Sequence, residues 1–353
     1  MDMNRTEPRI IELGLDTFGD VTRSEDGRPL THAEVVRDVV EEGVLADEVG
    51  VDFFGVGEHH REDFAISAPD VVLAAIAART KRVRLGSAVT VLSSDDPIRV
   101  FQRFSTLDAI SSGRAEVILG RGSFTESFPL FGFDLDDYDV LFEEKLALYA
   151  AVLDQDRTGN AIHWKGSTRA PLVGRRVYPG TAGGLRTWIG VGGTPQSVVR
   201  AAHYGMPLVL AIIGGDPRRF VPFVELYQQQ LATRAHAPLP VAAHSPGHVA
   251  ETDAKAREDF WPPYKTMRDR IGRERGWPPM TRAEFESEIE HGSLYVGSPE
   301  TVARKIAATA SALKIDRFDL KYSAGPLAHS LMMKSIELYG REVMPLVRES
   351  LGR

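Results

Sequence analysis

Three short stretches of the chain carry side chains able to do chemistry, and each stands directly behind a run that reads as a buried β-strand. Glu58-His59-His60 follows 51–56, Gly120-Arg121-Gly122-Ser123 follows 115–119, and Gly192-Gly193-Thr194-Pro195-Gln196-Ser197 follows 187–191. In the third stretch, glycines let backbone N–H groups come close to a ligand, and Thr194-Pro195 opens a helix whose positive dipole end favours an anion. A phosphate cradle and a plain tight turn both satisfy that spacing. Arg121, between two glycines, could give a phosphate a bidentate contact or sit on the surface as an ordinary loop arginine. The two histidines suggest a metal only if distant ligands such as His203, His244 or His248 join them, because neighbouring side chains on an extended segment diverge. No H-E-x-x-H spacing occurs, and the expected metal content is none. More simply, one histidine enters a pocket as hydrogen-bond donor or general base while the other braces the loop with Glu58. A polar cap on a strand end is the plainer alternative.

The elements that must hold these loops alternate along the chain. Runs rich in β-branched and apolar residues at 10–17, 51–56, 83–92, 115–119, 187–191, 208–213, 240–243 and 317–321 make about eight strands, each followed by a helical pattern. Thr31-His-Ala-Glu34 is a capping box, and Gly50 stops the helix it opens. Asp96-Pro97, Thr194-Pro195, Asp216-Pro217 and Ser298-Pro299 pair a capping residue with proline at a helix start. Continuously apolar runs such as 208–213 point to parallel strands covered on both faces. Eight of them favour a (β/α)8 barrel, with a doubly wound open sheet as the other solution. Either fold collects functional residues behind the carboxyl ends of its strands, where these loops stand. The chain reads as one domain over 1–353, broken by insertions near 155–186, expected to hold a hairpin, and 261–292, expected to be a long irregular lid, binding loop or dimer contact.

Composition narrows the function. With 42 Lys plus Arg against 49 Asp plus Glu, the net charge of −7 disfavours nucleic acid and anionic membrane surfaces and favours a small-molecule substrate. Zero cysteines exclude thiolate catalysis, disulfides and iron–sulfur clusters, so redox chemistry needs a borrowed cofactor. No apolar run approaches the ~20 residues of a membrane span. The polar N-terminus, 1–8, has neither a signal-peptide core nor an Arg-rich presequence, which makes the cytoplasm the expected location. Pro195 stands where a dinucleotide fingerprint needs its third glycine, so no Rossmann motif is present.

Taken in order, 50–60, 83–92, 96–100 with 107–114, Leu119-Gly-Arg-Gly-Ser123, 192–197 with 201–207, and 295–300 resemble the luciferase-like flavin monooxygenases, a (β/α)8 family that also includes coenzyme F420-dependent relatives. The resemblance covers nearly the whole chain. It implies that Arg121, Ser123, Gly192, Gly193, Thr194 and Ser197 hold the flavin phosphate. It also places Ala88, Val89 and Thr90 beneath the isoalloxazine ring, with a non-prolyl cis bond between Ala88 and Val89. His59 matches a histidine with an acid/base role. The implied chemistry is oxygenation of a small organic substrate by O2 and reduced FMN from a separate flavin reductase, in a homodimer. F420-dependent hydride transfer and non-catalytic flavin binding are the alternatives. Gly120 and Ile212 stand where luciferase has cysteine and tryptophan, so neither light emission nor a long-chain aldehyde substrate follows.

Overall fold

The computed structural model describes residues 10–24 and 26–352, so the N-terminal stretch read above as lacking a targeting signal lies outside the described residues. Among the described residues eleven strands follow in chain order: β1 (Glu12–Thr17), β2 (Phe53–Val56), β3 (Arg84–Val91), β4 (Ala115–Gly120), β5 (Ile162–Trp164), β6 (Leu172–Arg175), β7 (Arg186–Val191), β8 (Leu208–Ala211), β9 (Val241–Val249), β10 (Tyr295–Gly297) and β11 (Arg317–Lys321). Eight of these, in the order β9-β11-β1-β2-β3-β4-β7-β8, are hydrogen-bonded in parallel, and β8 returns to β9. The sheet is therefore closed, a (β/α)8 barrel, and the open-sheet alternative falls. All eight strand runs read from the sequence are present.

Helix starts follow the capping chemistry. Thr31 and Glu34 form a reciprocal capping box, Asp96 accepts from the amides of Ile98 and Arg99, and Ser298 caps Thr301. Thr194 behaves differently: its hydroxyl bonds to Ser197 Oγ at 2.7 Å and makes no cap to the helix Pro195–His203. Asp216-Pro217 opens a short 3₁₀ turn before the helix Val221–Thr233.

Of the two insertions, 155–186 contains the expected antiparallel hairpin, β5 with β6. The segment 261–292 is not irregular. Its first part belongs to a 23-residue helix, Asp253–Arg275, and a second helix, Arg282–Glu290, follows. Pro262 and Pro263 lie inside the long helix, where each removes an intrahelical donor and suggests a break. Packing outweighs that loss: Phe260 and Tyr264 are buried on either side of the prolines and stack at 5.2 Å, and Phe260 stacks on His248 at 5.7 Å. β10, three residues long and paired to the end of β9, is too short to show in a periodicity.

Outside the barrel, Val71 and Ile110 are exposed on the helices Pro69–Ala77 and Pro97–Ser111. Among the described residues no helix is long and apolar enough to cross a membrane.

The barrel interior departs from an all-apolar filling. Because side chains alternate across a strand, Arg317, Asp319 and Lys321 of β11 share a face, as do Glu12, Gly14 and Asp16 of β1. Arg317 is fully buried, donates to Asp319 at 2.8 Å and to Glu116 of β4 at 2.5 Å, and lies 3.5 Å from the centre of the Phe53 ring. Trp188 Nε1 donates to the second Glu116 oxygen at 2.9 Å. Glycine makes room for this layer. A Cβ at Gly14 would fall 2.1 Å from Asp319 Oδ1 and 3.0 Å from Phe53. Since Arg317 holds Asp319 by both oxygens, the carboxylate cannot step aside. Gly14→Ala is therefore expected to destabilise the protein by about 1–3 kcal/mol, the usual cost of overpacking, as a shift in the urea midpoint; an unchanged midpoint would show that the floor yields.

Candidate active site

A cavity of about 400 Å³ opens at the carboxyl ends of the strands. The three sequence loops converge there. Glu58, His59 and His60 line it, with Ala88, Val89, Gly120, Arg121, Gly122, Ser123, Gly192, Thr194 and Ser197. The Ala88–Val89 peptide is cis. The β3–β4 register shifts between Ala88 and Thr90, which sets the two neighbouring side chains against the cavity. Two expected residues are not among those lining it. Thr90 is buried with its hydroxyl on Ser87 Oγ at 2.8 Å, and Gly193, at φ +115°, shapes the turn itself.

His59 sits in an aromatic cage: Phe64 at 4.3 Å, Phe18 at 4.7 Å and Phe124 at 5.4 Å between ring centres. Its backbone N–H is fixed by Ile66 O at 2.9 Å. Burial pushes the imidazole pKa down to about 3, and nearby Lys321 and Arg61 add to that against the pull of Asp20. His59 is thus neutral in the physiological range. His60 plays the bracing part: its Nε2 meets Glu58 Oε1 at 2.9 Å, and Glu58 Oε2 accepts from the Val91 amide, so the β2 loop is tied to β3. It does not turn away from the cavity as an extended segment suggests, because Phe131 packs edge-on at 5.0 Å and holds its ring at the rim.

At the other end lie Arg121, Thr194 and Ser197. Arg121 pairs with Asp139 at 2.5 Å over the Tyr138 ring, and Asp139 is 82% exposed, so water competes for the carboxylate and this pair is easily exchanged. Ser197 also accepts from Arg200 at 3.3 Å. Arg200 escaped the sequence reading because it lies one helical turn beyond the glycine loop.

Sequence reasoning also missed the inner wall. Asp16 and Asp319 line the cavity with His244, which was considered only as a distant metal ligand. His244 Nδ1 meets Asp16 Oδ2 at 2.7 Å. Burial pushes the Asp319 carboxyl up to about 6 despite its arginine. The available signal was charge at alternate positions of strands that otherwise read as buried. Among the described residues no group of three or more His, Asp or Glu is placed to hold a metal ion.

The rim is clamped from above by the long helix. Arg61 is bonded to Asp63, Glu126 and Glu274, Arg270 to Glu62, and Arg275 to the Ser123 carbonyl, so Asp253–Arg275 rests on the loops after β2 and β4.

A parallel (β/α)8 barrel whose three loops meet around one cavity at its carboxyl end is the fold that a family of oxidoreductases shares. The chain belongs to the luciferase-like monooxygenase family, whose model matches residues 17–316. It is 29% identical over 208 residues to the alkanal monooxygenase alpha chain of Photobacterium leiognathi, a match covering 58% of this chain and 57% of that one. Monooxygenase RslO1 from Streptomyces bottropensis shares the fold with a TM-score of 0.80 at 21% identity, covering 95% of this chain and 99% of that one. The oxygenating constituent of 3,6-diketocamphane monooxygenase from the CAM plasmid of Pseudomonas putida, solved in complex with FMN, aligns with a TM-score of 0.76 at 19% identity over 95% and 98% of the two chains.

A histidine whose pKa is lowered on folding leaves the unfolded chain binding more protons between the two pKa values, so this group costs stability as pH falls from about 6.5 toward 3. In a pH titration of histidine resonances, His59 is expected to stay neutral at pH 5, where an exposed histidine is charged. A His59 midpoint near 6.5 would show the cage to be open to water.

Proposed function

We propose that the protein is a flavin-dependent monooxygenase that takes reduced FMN from a separate reductase and uses O2 to oxygenate a small organic substrate. The observation that carries this reading is the polarity of the cavity: one end has a helix start, the Arg121 guanidinium and two hydroxyls, and the middle has an apolar wall, Ala88 and Val89. A phosphate fits the first and a planar ring the second. The ring's space is kept by glycine, for a Cβ at Gly120 would fall 2.6 Å from Val89 Cγ2. Reduced FMN, when bound, would supply the electrons that activate O2.

The chain's own residues do the rest. Arg121 would exchange Asp139 for the phosphate, and Thr194, Ser197 and the positive end of the helix Pro195–His203 would complete the cradle. Ala88, Val89 and Ile118 present a surface without polar atoms other than backbone, which keeps water from the reacting face. Phe18, Phe64 and Phe124 exclude water around His59, whose neutral ring can accept or return a proton without carrying a standing charge. The clamp of Asp253–Arg275 on the rim gives a closing surface. The absence of a nicotinamide fingerprint and of cysteine supports an external source of reducing equivalents.

Arg121→Ala is expected to weaken FMN by ~10- to 100-fold and riboflavin, which lacks the phosphate, far less, in parallel fluorescence titrations. Equal losses would remove Arg121 from the phosphate site. Tighter binding of F420 than FMN in the same titrations would favour the hydride-transfer alternative. His59→Asn removes the titratable proton but keeps a polar side chain; it is expected to leave FMN affinity intact and cut turnover by ~10²-fold once a substrate is in hand. Normal turnover by flavin-saturated His59→Asn would reduce His59 to a loop brace.

A further inference from the structure

A second cavity, of about 370 Å³, lies away from the barrel mouth and shares no lining residue with the first. Three parts of the chain enclose it: the start of the helix Pro97–Ser111, the helix Tyr138–Thr158, and the β5–β6 hairpin with its loop. Pro97, Phe133, Leu148, Trp164, Pro171 and Leu172 make most of the wall apolar. Gly166 brings the hairpin loop against the Trp164 indole, where a Cβ would fall 2.4 Å from Cη2, and so holds that ring in place.

Lys145 lines the same cavity and is only 8% exposed. Its ammonium donates to the Ser93 carbonyl at 2.6 Å and stands 3.8 Å from the centre of the Phe133 ring. An ammonium has three N–H bonds, and among the described residues Ser93 O is the acceptor it reaches; no carboxylate among them forms an ion pair with it. The carboxylates nearby are committed elsewhere. Glu144 takes the amides and hydroxyls of Ser167 and Thr168 at 2.6–2.8 Å. Asp96 caps the helix Pro97–Ser111 and pairs with Arg169 at 2.8 Å, and Asp95 takes the Asp96 amide and Arg103. Burial lowers the Lys145 pKa to about 8 against the pull of Asp95 and Asp96, as expected of a cation whose counter-charges stand at a distance.

We propose that this cavity is a second binding site, separate from the barrel mouth, for a small aromatic carboxylate, with the carboxylate on Lys145 and the ring against Trp164.

The polar groups left without partners select the head of the ligand. They are donors: two N–H bonds of Lys145 and the part of the Arg169 guanidinium that Asp96 does not engage. A ligand must bring acceptors to them, and a negative one gains most, because a buried charge without an ion-pair partner is costly until one arrives. A cationic ligand is excluded by Lys145 itself, which already occupies the Phe133 face. The wall selects the frame, since an indole, a phenyl and two prolines offer flat faces to a ring. The volume lies in the range that small ligands fill.

The test uses the whole chain and three probes, benzoate, benzamide and cyclohexanecarboxylate, titrated by ligand-observed NMR at pH 7. Benzoate is expected to bind at least ~10-fold more tightly than benzamide and ~3-fold more tightly than cyclohexanecarboxylate. Lys145→Gln keeps a donor for Ser93 but removes the charge, and should erase the gap between benzoate and benzamide; Lys145→Arg should keep most of it. Arg121→Ala, at the barrel mouth, should leave benzoate within ~2-fold. In native protein carrying labelled tryptophan, bound benzoate should give nuclear Overhauser contacts to the Trp164 indole, a readout that decides the matter even if Lys145→Gln does not fold. The proposal is overturned by equal affinity for benzoate and benzamide, by a gap that survives in folded Lys145→Gln, by loss of benzoate in Arg121→Ala, or by no contact to Trp164. Cyclohexanecarboxylate binding as tightly as benzoate would overturn the aromatic class.

Discussion

A single buried guanidinium organises the barrel. Arg317 has no exposed surface, and a charge so placed needs compensating partners, which meet its Nε and Nη1 while Nη2 has no hydrogen-bond partner. Glu116 answers from β4, across the barrel, and Asp319 from its own strand, with the Phe53 ring beneath. Burial alone would raise the Glu116 carboxyl, but Arg317, Arg186 and Arg84 together hold it below its ordinary range, so it stays ionised. The interaction fixes how deep the cavity can be. Below Arg317 the interior is closed by paired charges, and above it the first open layer holds Asp319, Asp16 and His244.

The same layer governs the chemistry available above it. Two histidines a few residues from the same open space are tuned in opposite directions by their neighbours: three aromatic rings keep His59 neutral, and a carboxylate favours the charged form of His244. Neither effect comes from the histidine itself. What separates them is their surroundings: phenylalanines of the loops after β1, β2 and β4 enclose His59, and a carboxylate within β1 meets His244.

Much of the scaffold was legible in the sequence because it rests on local signals. Strand runs, a capping box and Asp-Pro or Ser-Pro helix starts state the βα phase within a few residues of each other, and the loops behind 56, 119 and 191 were found because function collects at those ends. The inner wall was not legible. Arg317, Asp319, Asp16 and His244 meet only after the barrel closes, and in a linear reading the alternation Arg-Phe-Asp-Leu-Lys is indistinguishable from an amphipathic edge strand with its charges in water. The helix across 261–292 was lost for the converse reason, since Pro262-Pro263 gave a strong local stop that tertiary packing of Phe260 and Tyr264 overrules. Thr90 shows the limit of positional transfer: one residue beyond Val89, the pleat sends its hydroxyl to Ser87 and away from the cavity.

The glycines that carve the interior also decide where the cavity can change. Hypothetical side chains at Gly14, Gly55, Gly86 and Gly120 would all press within 3 Å of a neighbour, in places against backbone or a fixed carboxylate. Those positions are closed to variation in size. At Gly192 a Cβ would meet nothing within 4 Å, and Ala211 and Ile213 border the same space from the next strand. A lineage altering its substrate would therefore find its freedom behind β8, at Ala211 and Ile213, while the glycine-bounded strands keep the shape the floor dictates.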